Sequence, residues 1–367
     1  MEVCSHNNSD PQTILLKING TACNLSCKYC SEVKKKYKNI IDLGEVKELF
    51  QSLPNNAEII LHGGEPLLDA NYIKEAVALF RKYRPSSKLS LQTNGCISED
   101  MKQLIIDNSD VLMIGVSIDG PAPLNIFRTD RYNNPSFSMS DNTIRFFQDN
   151  GISIKCIVTI NAVNVQYPTT VLDYFLGYRN IKQIRFNPCF DVLGNELTSY
   201  AVKPRQFLEF LLEIEKMWLE KKLYRSVRID PLQSELEAVL AQQNSLSRSK
   251  NIESTCKDTM QYLGGVRSFK HACCCNFVSI YPNHKYTICD ALGAEEFSDV
   301  FITDVFDQAE RTFSNSLHRP CDSCEYFNDC GGGCVAIFRK FKDSKELVDD
   351  YCIYRREIKK QIRSLII

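Results

Sequence analysis

From Thr13 to about Pro188 the chain alternates short apolar runs with amphipathic helical stretches, and that alternation leaves few folds open. Strands are expected at 13–19, 58–62, 88–93, 111–118, 153–160 and 182–187. Asp42 with Glu45 three residues on reads as a capping box, followed by Val46, Leu49, Phe50 and Leu53 on one helical face. Ile73, Val77 and Phe80 make a second apolar stripe, and Ile144 and Phe147 a later one. Six strand–helix alternations imply a parallel α/β sheet with right-handed crossovers, either doubly wound or a partial barrel. Beyond it, 207–223 and 231–243 read as helices and 245–250 as a loop. From Cys256 to Cys352 the chain turns cysteine-dense and includes the turn Gly331-Gly332-Gly333. Such a segment is organised by metal more readily than by an apolar core.

The 367 residues suffice for a barrel-sized domain and a smaller unit. Lysine plus arginine (44) nearly cancels aspartate plus glutamate (45). A neutral balance gives no electrostatic reason to expect nucleic acid or an anionic membrane as the main partner. Met1 to His6 has no basic segment leading into an apolar run, so no signal peptide is expected. No stretch of about 18 apolar residues occurs, so no membrane span is expected and the default location is cytoplasmic. Only about a dozen residues precede the first strand, so no separate N-terminal recognition domain is expected. Seventeen cysteines exceed what packing needs. In a reducing compartment, metal ligation explains them better than disulfides do.

Directly after the first strand comes Cys23-Asn-Leu-Ser-Cys27-Lys-Tyr29-Cys30. Three thiolates at this spacing can ligate three irons of a 4Fe–4S cluster and leave the fourth iron open for a substrate or cofactor. Zinc with a fourth ligand from elsewhere is the alternative. His62-Gly63-Gly64-Glu65-Pro66 ends the second strand, where glycines admit close backbone approach and a carboxylate can pair with an ammonium group. Gln92-Thr93-Asn94-Gly95 ends the third strand and Ser117-Ile118-Asp119-Gly120-Pro121 the fourth, while Thr159 and Asn161 end the fifth. All lie at carboxyl ends of strands, where parallel barrels build their sites. His62, His271 and His318 show no ligand spacing and read as packing or surface residues.

These motifs resemble the radical S-adenosylmethionine (SAM) superfamily, whose cysteine signature carries an aromatic residue where Tyr29 stands. The resemblance implies a 4Fe–4S cluster on Cys23, Cys27 and Cys30, with its open iron chelating the amino and carboxylate groups of SAM. Reductive cleavage of the sulfonium would then give methionine and a 5′-deoxyadenosyl radical. It further implies SAM contacts by Tyr29, Gly63, Gly64, Glu65, Asn94, Ser117 and Thr159. Arg128 is the candidate for the SAM carboxylate, with Asn125 a one-residue-gapped match before it and Arg131 still possible.

Cys321-x2-Cys324-x5-Cys330-x3-Cys334, with Cys352 following, resembles the SPASM auxiliary-cluster module of peptide-modifying radical SAM enzymes, although His284 occupies its glycine position. Carried over, Cys321, Cys324, Cys330 and Cys352 hold a distal cluster. Cys289 and Cys334 hold a nearer one with one of Cys273, Cys274 and Cys275, of which Cys274 has the preferred spacing. Cys256 is the upstream candidate for a fourth ligand. Asp290 stands where the sulfatase-maturing branch has a base, but Ala291-Leu292-Gly293 departs from that branch.

The expected architecture is a partial (β/α)6 TIM-like barrel over 13–188, a helical bridge over 189–255 and a SPASM iron–sulfur domain over 256–367. The expected activity is radical modification of a precursor peptide or protein, forming a thioether or carbon–carbon crosslink. Two alternatives stand beside it: an anaerobic sulfatase-maturing enzyme that oxidises serine or cysteine to formylglycine, and a non-catalytic iron–sulfur protein. The implied cofactors are SAM and three 4Fe–4S clusters, one at the SAM site and two auxiliary. A flavodoxin or ferredoxin-type protein is the implied reductant.

Overall fold

The computed structural model describes residues 13–34, 39–53, 55–237, 239–240, 277–283, 285–287, 324 and 333–365. Six strand–helix units run in order: β1 (Thr13–Lys17), α1 (Leu43–Ser52), β2 (Glu58–His62), α2 (Ala70–Tyr83), β3 (Leu89–Thr93), α3 (Glu99–Asp107), β4 (Leu112–Ser117), α4 (Phe137–Asp149), β5 (Ile154–Ile160), α5 (Pro168–Leu176) and β6 (Ile181–Pro188). A hairpin, β7 (Val192–Leu193) and β8 (Glu196–Leu197), leads to α6 (Pro204–Glu220) and β9 (Arg228–Asp230). Beyond these come β10 (Phe277–Tyr281), β11 (Lys285–Thr287), α7 (Val335–Phe341) and α8 (Lys345–Ser364).

The main sheet has the order β11-β10-β1-β2-β3-β4-β5-β6-β9. Strands β1 to β6 follow one another without reversal and are all parallel. Right-handed crossovers that always step the same way stack their helices on one face. A doubly wound sheet would reverse its order at a switch point. The arrangement is therefore the barrel-type one, with β9 and β11 at its edges among the described residues.

Parallel strands covered by helices are buried on the helix side, and the residues show it. Ile59 and Leu61 of β2 are buried while Glu58, Ile60 and His62, on the other face, are half-buried. The same alternation runs through β5, where Ile154, Cys156, Val158 and Ile160 are buried. The expected helical stripes meet this face: Val46, Leu49 and Phe50 of α1, and Ile73, Val77 and Phe80 of α2, with Phe50 edge-on to Phe80 at 5.3 Å. Asp42 caps α1 through the Gly44 amide at 2.7 Å, one residue earlier than a capping box would place that bond. The helix expected at 207–223 begins at Pro204 and ends at Glu220, before Lys222 turns left-handed at φ 52°.

The C-terminal part joins this framework directly. Strand β10 pairs in parallel with β1, Thr13 opposite Phe277. Helix α8 places Leu347, Tyr351, Tyr354, Ile358 and Ile362 on one face, a three-four spacing. Tyr354 meets Phe207 of α6 edge-on at 5.4 Å, and Phe190 lies against Phe207, Tyr351 and Tyr354. Among the described residues no helix is long and apolar enough to cross a membrane.

Candidate active site

The loop carrying Cys23, Cys27 and Cys30 leaves the carboxyl end of β1 and is gripped from two sides. On one side the turn after β2 takes it by backbone hydrogen bonds. Gly64 N–H donates to the Gly20 carbonyl at 2.9 Å and Glu65 N–H to the Ala22 carbonyl at 2.8 Å. A Cβ on Gly64 would stand 2.1 Å from the Ala22 oxygen, so only glycine allows the two chains this close. The close approach expected of Gly64 is thus made to the cysteine loop itself. Across the loop, Ser26 N–H donates to the Thr129 carbonyl at 2.7 Å and Lys28 N–H to the Phe127 carbonyl at 3.0 Å.

Glu65 is buried, with its carboxylate fixed by three donors: Leu67 N–H at 3.0 Å, Thr93 Oγ1 at 2.8 Å and Asn94 N–H at 2.7 Å. Burial outweighs these donors and pushes its pKa up to about 7. Asn94 continues the line toward the loop. Its Nδ2 donates to Asn24 Oδ1 at 2.7 Å and lies 3.6 Å from Cys23 Sγ. Cys23 is exposed, Cys30 half-buried and Cys27 buried. Burial pushes the Cys27 thiol up to about 11 while Arg128 pulls it down.

A second network reaches the loop from β4. Tyr29 OH donates to Asp119 and accepts from Arg128 Nη1 at 3.0 Å. Asp119, fully buried, also accepts from Thr159 N–H at 3.1 Å and lies 3.8 Å from Arg128 Nη1. Asn125 Oδ1 accepts from Asp119 N–H at 2.9 Å. Arg128 therefore faces the cysteines, whereas Arg131 is exposed and lies over the Tyr132 ring. Ser117 Oγ accepts from Gln92 Nε2 at 2.7 Å. Gly115 makes room for that bond, since a Cβ there would meet Gln92 Oε1 at 2.2 Å.

Tyr29, Gly63, Gly64, Glu65, Asn94, Arg128 and Thr159 thus belong to the cysteine loop or to the networks that hold it, while Ser117 is tied to Gln92 at the end of the neighbouring strand. His62, read from sequence as packing or surface, is half-buried: its Nδ1 takes Gly63 N–H at 2.9 Å and faces Lys17 Nζ at 3.2 Å. Asp119 and Asn24 are site residues that spacing alone does not single out, the strand-end position of Asp119 being the available signal; Asn125, the gapped match before Arg128, joins them through Asp119 N–H. Cys96, also buried, packs with Leu25 and Cys27 beneath the loop.

The donor set suits the cofactors that the sequence implies. Three thiols in one loop match an incompletely ligated cluster. A buried carboxylate on one side and a buried guanidinium on the other suit the two ends of an amino acid. Arg128 Nε and Asn125 Nδ2 are buried without a hydrogen-bond partner among the described residues. Buried donors of this kind are normally paired, which is what a bound polar ligand would accomplish.

In the C-terminal part, Cys334 stands just before α7 and its N–H donates to Tyr351 OH at 2.9 Å. Cys352 follows on α8, half-buried, and Cys324 is exposed. Cys256, Cys274, Cys289, Cys321, Cys330 and Asp290 lie outside the described residues.

The model of the Radical SAM superfamily matches residues 19–174, the span holding both networks. A cysteine-type anaerobic sulfatase-maturating enzyme of Clostridium perfringens is 27% identical over 361 residues, 92% of this chain and 91% of that one. The solved structure of anSMEcpe with bound AdoMet and Cp18Cys peptide superposes with TM-score 0.75 at 22% identity, over 97% of this chain and 98% of that one. Streptococcus suis SuiB bound to its precursor peptide SuiA superposes with TM-score 0.63 at 14% identity, over 90% and 73%. At these identities the two structures share the fold.

Proposed function

We propose, from the premise that residues 19–174 form a radical SAM domain in a peptide-modifying enzyme, that this chain oxidises a cysteine or serine side chain of a peptide or protein to an aldehyde. The observation that carries the choice is likeness to a sulfatase-maturating enzyme along nearly the whole of both chains. It outweighs the departure at Ala291-Leu292-Gly293, which had favoured crosslinking. The SuiB likeness is one of fold and does not reverse that weight.

In this reading Cys23, Cys27 and Cys30 hold the SAM-binding cluster. When bound, cluster and SAM supply a 5′-deoxyadenosyl radical that removes a hydrogen atom from the substrate carbon. The protein's own part is placement. Glu65, locked by Leu67, Thr93 and Asn94, receives the ammonium end of SAM. Arg128, whose Nη1 is held by Tyr29 and Asp119, offers its buried Nε to the carboxylate end. Ser117 and Thr159, on the neighbouring strands β4 and β5, are the residues that would meet the ribose. This division of labour is orientation before chemistry.

The cysteines of the C-terminal part would hold two further 4Fe–4S clusters, which would supply an acceptor for the second electron, and Asp290 is the candidate base for the substrate thiol or hydroxyl. A flavodoxin or ferredoxin-type protein supplies the first electron. The test is to incubate anaerobically reconstituted protein with SAM, reductant and peptides containing cysteine or serine. A linear product that reacts with a carbonyl reagent, two hydrogens lighter for a serine peptide, is expected. A product of the same mass loss that is crosslinked and unreactive to carbonyl reagents would return the assignment to crosslinking.

A further inference from the structure

The three cysteines of the loop have unequal surroundings. Cys27 is buried, whereas Cys23 is exposed and its sulfur has two N–H groups directed at it: Leu25 N–H at 3.3 Å and Asn94 Nδ2 at 3.6 Å. The orientation of the Asn94 amide is decided by its neighbours. The Cys96 backbone N–H, which can only donate, is 2.7 Å from Asn94 Oδ1. The oxygen must lie on that side and the NH2 on the side of Cys23. One NH2 proton goes to Asn24 Oδ1 at 2.7 Å, and the other is left for Cys23 Sγ. Asn24 is locked in turn, because its Nδ2 donates to the Cys96 carbonyl at 2.7 Å. The Asn94 backbone is held as firmly: its N–H binds Glu65 Oε2 at 2.7 Å and its carbonyl takes Ser140 Oγ at 2.8 Å.

We propose that Asn94 is a positioning residue that raises the reduction potential of the cluster on Cys23 by holding an N–H against that sulfur, with Asn24 as its lock. The inference rests on the radical SAM reading of the loop and not on the identity of the substrate. Hydrogen bonds to the sulfurs of an iron–sulfur cluster stabilise its more negative, reduced form. The same residue fixes the Glu65 carboxylate through its backbone. One side chain and one amide therefore register the cluster ligand against the group proposed for the SAM ammonium.

The test uses the full chain, anaerobically reconstituted, as wild type, Asn94→Asp and Asn94→Ala. Asn94→Asp keeps an acceptor for Cys96 N–H while losing the donor, and Asn94→Ala loses the donor without adding charge. Iron content, SAM cleavage and the midpoint potential of the cluster whose electron paramagnetic resonance signal responds to SAM are measured. Both variants should load iron and show a midpoint more negative than wild type, the aspartate more so. A tenfold fall in the ratio of reduced to oxidised cluster at fixed potential corresponds to 59 mV for one electron, and a shift of about that size is the expected result for Asn94→Ala. Wild-type midpoints in the iron-loaded variants would overturn the proposal. Loss in both of the SAM-responsive signal together with one cluster's share of the iron would overturn it too, assigning Asn94 to assembly of the loop. A wild type that holds iron yet fails to cleave SAM would instead sink the functional reading.

Discussion

Gly64 sets the distance between the cysteine loop and the carboxylate beside it. An alanine there would put its Cβ 2.1 Å from the Ala22 carbonyl oxygen, and that neighbour is backbone, which gives little. Overpacking of this kind costs about 1–3 kcal/mol. Gly64→Ala should fold with lowered thermal stability and lose up to one cluster's share of the iron, about a third of the wild-type content, measured by iron assay after reconstitution. Glu65 makes a pH-dependent prediction. Its pKa is raised from 4.5 to about 7, so the folded, ligand-free protein prefers the protonated form. Its contribution to stability is full below 4.5 and is lost as pH rises through about 7, a change of about 3 kcal/mol at most. Binding an ammonium group needs the charged form, so SAM affinity should weaken about tenfold per pH unit below about 7. Equilibrium binding to cluster-loaded protein checks this, and Glu65→Gln should both weaken binding and flatten the profile. The cysteines and Glu65 were legible because spacing and a glycine pair mark them. Asp119 and Asn24 were not, because their roles depend on partners 90 and 70 residues away, Tyr29 and Asn94.

Among the elements, the six parallel strands were legible for a physical reason. Helices cover one face of each strand, and the resulting apolar runs stand out from the amphipathic helices between them. Strand β10 left no comparable signal. Its place beside β1 is a pairing across more than half the chain, and nothing local dictates it. Helix α8 was equally hidden, since its apolar residues alternate with many charges. Its packing includes a buried ion pair: Arg355 Nη1 lies 3.0 Å from Glu235 Oε1, with side chains 1% and 3% exposed, and Lys359 lies 3.6 Å from the other oxygen. Removing one member of a buried pair costs about 3–5 kcal/mol, while replacing both by apolar groups can be close to neutral. Arg355→Leu should therefore destabilise by about 3 kcal/mol in chemical denaturation. A double-mutant cycle of Arg355→Leu with Glu235→Leu reads the coupling of the two directly, with Lys359 left beside the site in the double variant.

At the scale of the molecule, an unreversed sheet brings the ends of β1 to β5 to one side, and the cysteine loop is held there by chain from β2 and by the segment after β4. The barrel was legible from alternation and motif order together. The attachment of the C-terminal part through β10 and α8 was not, because short strands and charged helices acquire their partners only on folding. The arrangement serves one central claim: that the chain takes a hydrogen atom from a side chain of a peptide substrate by way of SAM. The direct measurement uses a peptide whose target cysteine or serine carries deuterium in place of both β-hydrogens. Incubated with reconstituted protein, SAM and reductant, it should give 5′-deoxyadenosine containing deuterium in proportion to aldehyde formed. Unlabelled 5′-deoxyadenosine accompanying aldehyde product would contradict the account.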